Sequence, residues 1–241
     1  MNGGASNDTA TAMIRISGLT KTFTLHNQGG AVLPVLQGIE LEVAAGECVV
    51  LHGPSGAGKS TLLRSIYANY RIQQGSVEVR HAGRWIDTAT AGARELLDIR
   101  RDTMGYVSQF LRVIPRIATL DIVAEPLLAS GMPHDDAKDH ARTLLSRLNI
   151  PAKLWSLPPA TFSGGEQQRV NIARGFIRPF PILLLDEPTA ALDAGNRAVV
   201  ADLMEEARTA GAAIVGIFHD DEVRGRVATR LYEMHALKAA A

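Results

Sequence analysis

Gly53-Pro54-Ser55-Gly56-Ala57-Gly58-Lys59-Ser60 is the stretch that decides how this 241-residue chain is read. Two glycines with four residues between them, followed by Lys and Ser, fit the phosphate-binding loop pattern. Each position has a physical reason. Glycine opens turns closed to other residues and lets the backbone come close to a phosphate. The loop N–H groups then point inward and form an anion nest. Lys59 is placed to reach the β- and γ-phosphates, and the Ser60 hydroxyl to ligate Mg²⁺. Thr61 follows, within reach of an α-phosphate.

The flanks agree with that reading. Glu47-Cys48-Val49-Val50-Leu51-His52 is a short apolar run that predicts a buried strand entering the loop. Beyond it, Leu62, Leu63, Ile66, Tyr67 and Tyr70 recur at helical spacing. A phosphate in the loop therefore meets a helix N-terminus, where the dipole and free N–H groups favour anions.

Composition narrows the class. Hydrophobic residues make up 46% of the chain, enough for a proper core in one α/β domain with an inserted lobe. The formal net charge is zero, with no electrostatic footprint for nucleic acid or an anionic membrane. The single cysteine, Cys48, falls in a predicted buried strand and reads as a small core hydrophobe. One cysteine makes no internal disulfide, which agrees with a cytoplasmic location. Residues 1–12 are small and polar, without the apolar segment of a signal peptide, and read as a flexible N-terminus. No apolar run approaches the roughly 20 residues that span a bilayer, so direct membrane insertion is not expected.

Along the chain, Ile14 and Ile16, then Leu41 and Val43, alternate with polar residues as in half-buried antiparallel strands. Phe23 lies between them, either as core or as a stacking platform. Val77, Val79 and Trp85 predict further short strands. Met104-Gly105-Tyr106-Val107-Ser108-Gln109 reads as a strand ending on Gln109. From Leu120 to Leu157 the pattern is helical, broken at Gly131-Met132-Pro133, and looks like a separate lobe. Ser163-Gly164-Gly165-Glu166 opens another helix with a Val170, Ala173, Ile177 stripe. It reads either as an anion site or as an ordinary capping box. Ile182 to Glu187 is an apolar run ending in two carboxylates, as in a parallel strand buried on both faces. Ligands in open α/β sheets bind beyond the carboxyl ends of such strands, which places Asp186 to hold Mg²⁺ and Glu187 to polarise a water. Ala213 to Phe218 predicts one more buried strand, and His219 follows it.

The loop at 53–60, Gln109, Ser163-Gly164-Gly165-Glu166-Gln167, Ile182 to Glu187 and His219 occur in one order. Together they resemble the ATPase domains of the ABC superfamily, over nearly the whole chain. The resemblance implies a P-loop fold with a RecA-like core, an antiparallel β-subdomain and a helical lobe at about 112–172. It puts the ATPase domain at 13–235 and a tail at 236–241. It implies that Phe23 stacks on adenine and that Gly53 through Thr61, including Pro54, Ser55, Gly56, Ala57 and Gly58, form the Walker A loop. Gln109 is then the Q-loop residue near Mg²⁺ and the attacking water. Ser163, Gly164 and Gly165 are the signature loop, and Asp186 and Glu187 the metal aspartate and the general base. Asp193 is the D-loop residue and His219 the γ-phosphate switch. Phe162, where the usual signature has Leu, and Glu166, a frequent variant of Gln, depart from the pattern without threatening ATP binding.

Residues 65–70, 108–117, 161–176 and 211–220 resemble one branch, the PhnL family of ABC-type subunits of the bacterial carbon–phosphorus lyase system. That branch implies phosphonate breakdown with soluble lyase-core subunits, and a dimer with itself or with a related ABC subunit. It is linked to a step in which methylphosphonate displaces adenine from ATP, giving ribose 1-methylphosphonate 5-triphosphate. Yet each motif here aims at the γ-phosphate and none at the glycosidic bond. ATP hydrolysis is therefore the expected chemistry of the chain itself. The alternative is the ATPase subunit of a membrane transporter of the lipoprotein-releasing type. After Gln109, in Phe110, Leu111, Arg112, Val113, Ile114, Pro115, Arg116 and Ile117, the residues Leu111, Ile114 and Ile117 read either as core or, beside Arg112 and Arg116, as part of an expected docking surface for a soluble protein.

Overall fold

Apolar runs without alternation build the centre of the molecule. A computed structural model describes residues 11–25, 29–109 and 116–237. Among them β3 (Cys48–His52), β6 (Met104–Val107), β7 (Ile182–Asp186), β8 (Ala213–Ile217) and β9 (Arg230–Glu233) form a parallel sheet in the order β6-β7-β8-β3-β9. All five residues of β7 and of β8 are buried, as expected for strands covered on both faces. Cys48 is fully buried, and burial pushes its thiol up to about 12, so it is an inert core residue.

Alternating residues build the second sheet. β1 (Ala12–Leu25), β2 (Ala31–Ala44), β4 (Gln74–His81) and β5 (Arg84–Asp87) are antiparallel in the order β2-β1-β4-β5. Ile14 pairs with Val43 on one side and Val79 on the other, and all three are buried, which pins the register of the two longest strands.

Helix α1 (Lys59–Ile66) follows the loop, and α2 (Ala93–Asp102) precedes β6. Then α3 (Thr119–Ala129), α4 (His134–Arg147) and α5 (Gly164–Phe176) lie between β6 and β7. The Gly131-Met132-Pro133 break separates α3 from α4, and Pro151, Pro158 and Pro159 mark the turns after α4. Val123, Leu145, Leu148, Val170 and Ala173 are fully buried in one cluster that also holds Val107 and Leu185, so this helical layer shares a core with the parallel sheet. The chain closes with α6 (Ala194–Thr209) and α7 (Asp221–Val227).

Three boundaries differ from the sequence reading. The helical spacing through Tyr67 and Tyr70 overshoots α1, which ends at Ile66 because Ala68 takes φ 57°. β3 begins at Cys48 rather than Glu47. β6 stops at Val107, two residues before Gln109. Phe110 to Pro115 of the expected docking surface lie outside the described residues. Arg116 and Ile117 are both exposed.

Candidate active site

The loop between β3 and α1 is shaped by positive φ angles that only glycine adopts at low cost: 144° at Gly53, 81° at Gly56 and 87° at Gly58. Gly53 is also needed because a Cβ there would lie 2.1 Å from the Met234 carbonyl oxygen, where the segment after β9 crosses behind the loop. Pro54, Ser55 and Gly56 are exposed, while Ala57 is buried as the loop's inner anchor. The Lys59 ammonium donates to the carbonyls of Gly53 (2.7 Å) and Pro54 (2.9 Å), so it lies across the mouth of the loop. Ser60 and Thr61 occupy the first turn of α1, which carries no acidic residue to compete with an anion.

β7 brings its carboxylates to this helix. Asp186 is fully buried, and its Oδ1 accepts from the Ser60 hydroxyl at 2.9 Å. Its Oδ2 accepts from the Tyr106 hydroxyl of β6 at 3.1 Å, with the Arg64 guanidinium 3.8 Å away. Burial and the Asp186 charge together push the Tyr106 phenol up to about 12, so it stays a proton donor. The next residue, Glu187, takes φ 53°, a strained conformation for a side chain of its size. Its Oε2 accepts from the Gln109 amide at 2.9 Å, and its Oε1 faces His219 Nε2 at 2.8 Å. Glu187, Thr189, Ala190, Arg197, His219 and Asp220 line a cleft of about 240 Å³.

Ser60, Gln109, Asp186, Glu187 and His219, spread over some 160 positions of sequence, thus meet at one end of the parallel sheet. A hydroxyl oxygen and a buried carboxylate oxygen 2.9 Å apart are the hard donors that suit Mg²⁺, which takes one or two protein ligands plus substrate phosphates and water. Gln109, also expected at the metal, has its amide on Glu187 instead.

Other expected site residues lie apart from the loop. Ser163 is the N-cap of α5 and makes the full capping box with Glu166, so the ordinary reading of that motif holds for the geometry within the chain. The Ser163 hydroxyl and N–H hold the Glu166 carboxyl below its usual range. A Cβ on Gly165 would lie 3.0 Å from the Ala191 carbonyl oxygen, so this loop abuts the segment before Asp193. Gly164 has open space around it. Asp193 caps α6, accepting from the Asn196 N–H (2.8 Å) and side-chain amide (2.7 Å), which lower its pKa. Phe23 packs edge-on against Tyr70, 5.2 Å between centroids, with the Lys21 ammonium 4.6 Å from its ring. One part of this ring is therefore already engaged within the chain.

Two side chains at the site escaped the sequence reading. In sequence, Tyr106 is one residue of the strand that ends on Gln109. Arg64 lies four residues after Ser60 on α1, a spacing that puts both on the same helical face and marks it as a neighbour of whatever Ser60 meets.

A glycine-rich loop feeding a helix, with a hydroxyl on a buried strand-end aspartate and a glutamate beside it, defines a P-loop nucleotide triphosphatase. Residues 36–190 match the family described as ABC transporter, and the chain belongs to that family. It is 38% identical to the lipoprotein-releasing system ATP-binding protein LolD of Gluconobacter oxydans over 222 residues, 91% of this chain and 92% of that protein. It is 37% identical to the macrolide export ATP-binding/permease protein MacB of Nitrosomonas europaea, over 92% of this chain but only 32% of that protein. A dimeric ATP-binding cassette in a post-hydrolysis state, bound to ADP and phosphate, superposes with a TM-score of 0.83 at 31% identity, covering 93% of this chain and 95% of that one. The chain is an ABC-type ATP hydrolase with the cassette fold, as its sequence led one to expect. These relatives are named for export and lipoprotein release, and so speak for the transporter alternative rather than for the carbon–phosphorus lyase branch. Among the described residues, no helix is long and apolar enough to cross a membrane.

Proposed function

We propose that this chain hydrolyses ATP within a head-to-tail pair of cassettes and passes the resulting closure and opening to a partner protein. The observation that carries the reading is the double contact at the end of β7: Asp186 on Ser60, and Glu187 between Gln109 and His219. In this scheme the 53–61 backbone and Lys59 bind the triphosphate. Ser60 and Asp186 would hold Mg²⁺, which when bound would offset charge on the triphosphate. Glu187 accepts a proton from the attacking water, Gln109 orients that water, and His219 holds the γ-phosphate side. The signature loop of one subunit, Ser163-Gly164-Gly165, and its Asp193 complete the site of the other. Phe23 is the base platform. The test is ATP turnover with Mg²⁺, set against Lys59→Ala: equal turnover in the two proteins would sink the reading.

The partner is proposed from the relatives: a membrane permease of the lipoprotein-releasing or macrolide-export kind, met on the surface around residues 110–117. The relatives' names support this choice. A second reading, the carbon–phosphorus lyase system, is supported by the four stretches that resemble PhnL. There the partners are soluble lyase-core subunits, and the phosphonate chemistry belongs to them, since no motif here addresses the glycosidic bond. Affinity capture from the native cell decides between them: a polytopic membrane protein supports the first reading, and soluble lyase subunits support the second.

A further inference from the structure

We propose that Tyr106 is a positioning residue for the metal carboxylate, and that Arg64 tempers the charge of that same carboxylate. Asp186 has two oxygens with different surroundings. Oδ1 meets the Ser60 hydroxyl, and Oδ2 meets the Tyr106 hydroxyl at 3.1 Å with the Arg64 guanidinium at 3.8 Å. The carboxylate is 1% exposed, so water does not hold it in place. Without a donor on Oδ2 it is free to turn about its Cβ–Cγ bond, and Oδ1 loses its aim.

Both side chains are themselves held in place. Tyr106 stacks on Tyr67, with centroids 5.0 Å apart and planes at 25°. Tyr67 is fixed in turn by Arg100, which lies 4.7 Å from its ring and donates to its carbonyl at 2.9 Å. Arg64 donates to the Tyr70 hydroxyl at 3.1 Å, which steadies the guanidinium at the edge of the carboxylate. Side chains of α1 and β6 thus meet at one buried oxygen, and the turn after α1 holds both of them. Groups that brace a metal ligand in this way tune metal affinity, typically by about 10–100-fold.

The inference rests on the proposed metal role of Asp186, and the experiment separates the two. Tyr106→Phe keeps the ring and its stack on Tyr67 and removes only the hydroxyl. The probe is Mn²⁺, titrated by electron paramagnetic resonance into protein carrying a non-hydrolysable ATP analogue. Expected is about tenfold weaker Mn²⁺ binding, with analogue affinity in EDTA and melting temperature unchanged. Arg64→Met removes the competing cation and leaves the hydroxyl, so Mn²⁺ binding should tighten. Asp186→Asn is the control for the underlying reading and should lose most of the protein's contribution to Mn²⁺ binding, leaving only Ser60. If Asp186→Asn binds Mn²⁺ normally, the metal site itself is misplaced. If Asp186→Asn loses it while Tyr106→Phe binds as wild type, the positioning role of Tyr106 is refuted. If Tyr106→Phe and Arg64→Met weaken Mn²⁺ equally and both melt earlier, the two side chains merely hold the fold, which also refutes it.

Discussion

At the scale of single residues, Glu187 carries the sharpest claim. Its φ of 53° departs from the neighbouring strand geometry, and its two oxygens are divided between Gln109 and His219. Such strain persists where surrounding contacts over-determine it, and it clusters at working sites. Glu187→Gln keeps the size and one carbonyl oxygen but removes the proton acceptor. ATP affinity should hold while turnover falls by about 10²–10⁴-fold, the usual worth of a general base. Steady-state turnover beside an equilibrium nucleotide titration checks both halves. A near-normal rate would move the base elsewhere, with His219 next in line. Asp186, Glu187, Gln109 and His219 were legible in the sequence because each follows an apolar run, and strand ends in parallel sheets gather on one side. Tyr106 was not legible, because its place beside Asp186 depends on register. Tyr106 lies opposite Leu184, two residues before Asp186, and only the β6–β7 pairing reveals it.

At the scale of elements, local propensity and packing disagree at Gly175. A glycine near the end of α5 is a poor helix former, and alanine is better by about 0.5–1 kcal/mol. A Cβ there, however, would lie 2.3 Å from Val107 Cγ2 on β6. Valine on a strand is stiff about χ1 and cannot easily swing aside. Overpacking of a tight core costs about 1–3 kcal/mol, so packing should win and Gly175→Ala should destabilise. Gly225 in α7 meets nothing within 4 Å. There propensity acts alone, and Gly225→Ala should stabilise by about 0.5–1 kcal/mol. Chemical denaturation of both variants tests the pair, and the same sign for both would contradict the argument. The Val170, Ala173 and Ile177 stripe showed that α5 buries one face, but not that Gly175 brings its backbone against β6. The end of α1 was hidden for a related reason. Tyr67 and Tyr70 keep helical spacing, yet they serve the stack on Tyr106 and the contact with Phe23 after the helix has ended.

At the scale of the whole molecule, the proposed function has the site of one chain completed by the signature loop of another. Ser163, Gly164 and Gly165 are separated from the 53–61 loop by more than a hundred positions. Among the described residues, the side-chain hydrogen bonds of Ser163 stay within its own capping box. Ser163 and Gly164 nevertheless lie exposed at the N-terminus of a 13-residue helix, with free space beside Gly164. A helix start of this kind attracts anions through its dipole and N–H groups. The superposed cassette is dimeric with ADP and phosphate bound, which supports pairing of two chains around nucleotide. ATP with Mg²⁺ should therefore join two copies, most durably in Glu187→Gln, where hydrolysis does not release them. Gly164→Asp, built on that background, tests where the contact lies. Aspartate fits the open space and at the first turn of a helix is favourable by about 0.3–1 kcal/mol, so the fold should hold or gain slightly. Its charge would face the γ-phosphate of the opposite subunit, and like charges across an interface cost several kcal/mol. Light scattering at micromolar protein should show the mass doubling with ATP–Mg²⁺ in Glu187→Gln and staying monomeric in the double variant, at equal nucleotide affinity and equal or higher melting temperature. A double variant that still dimerises would place the γ-phosphate contact of the partner somewhere other than this helix start.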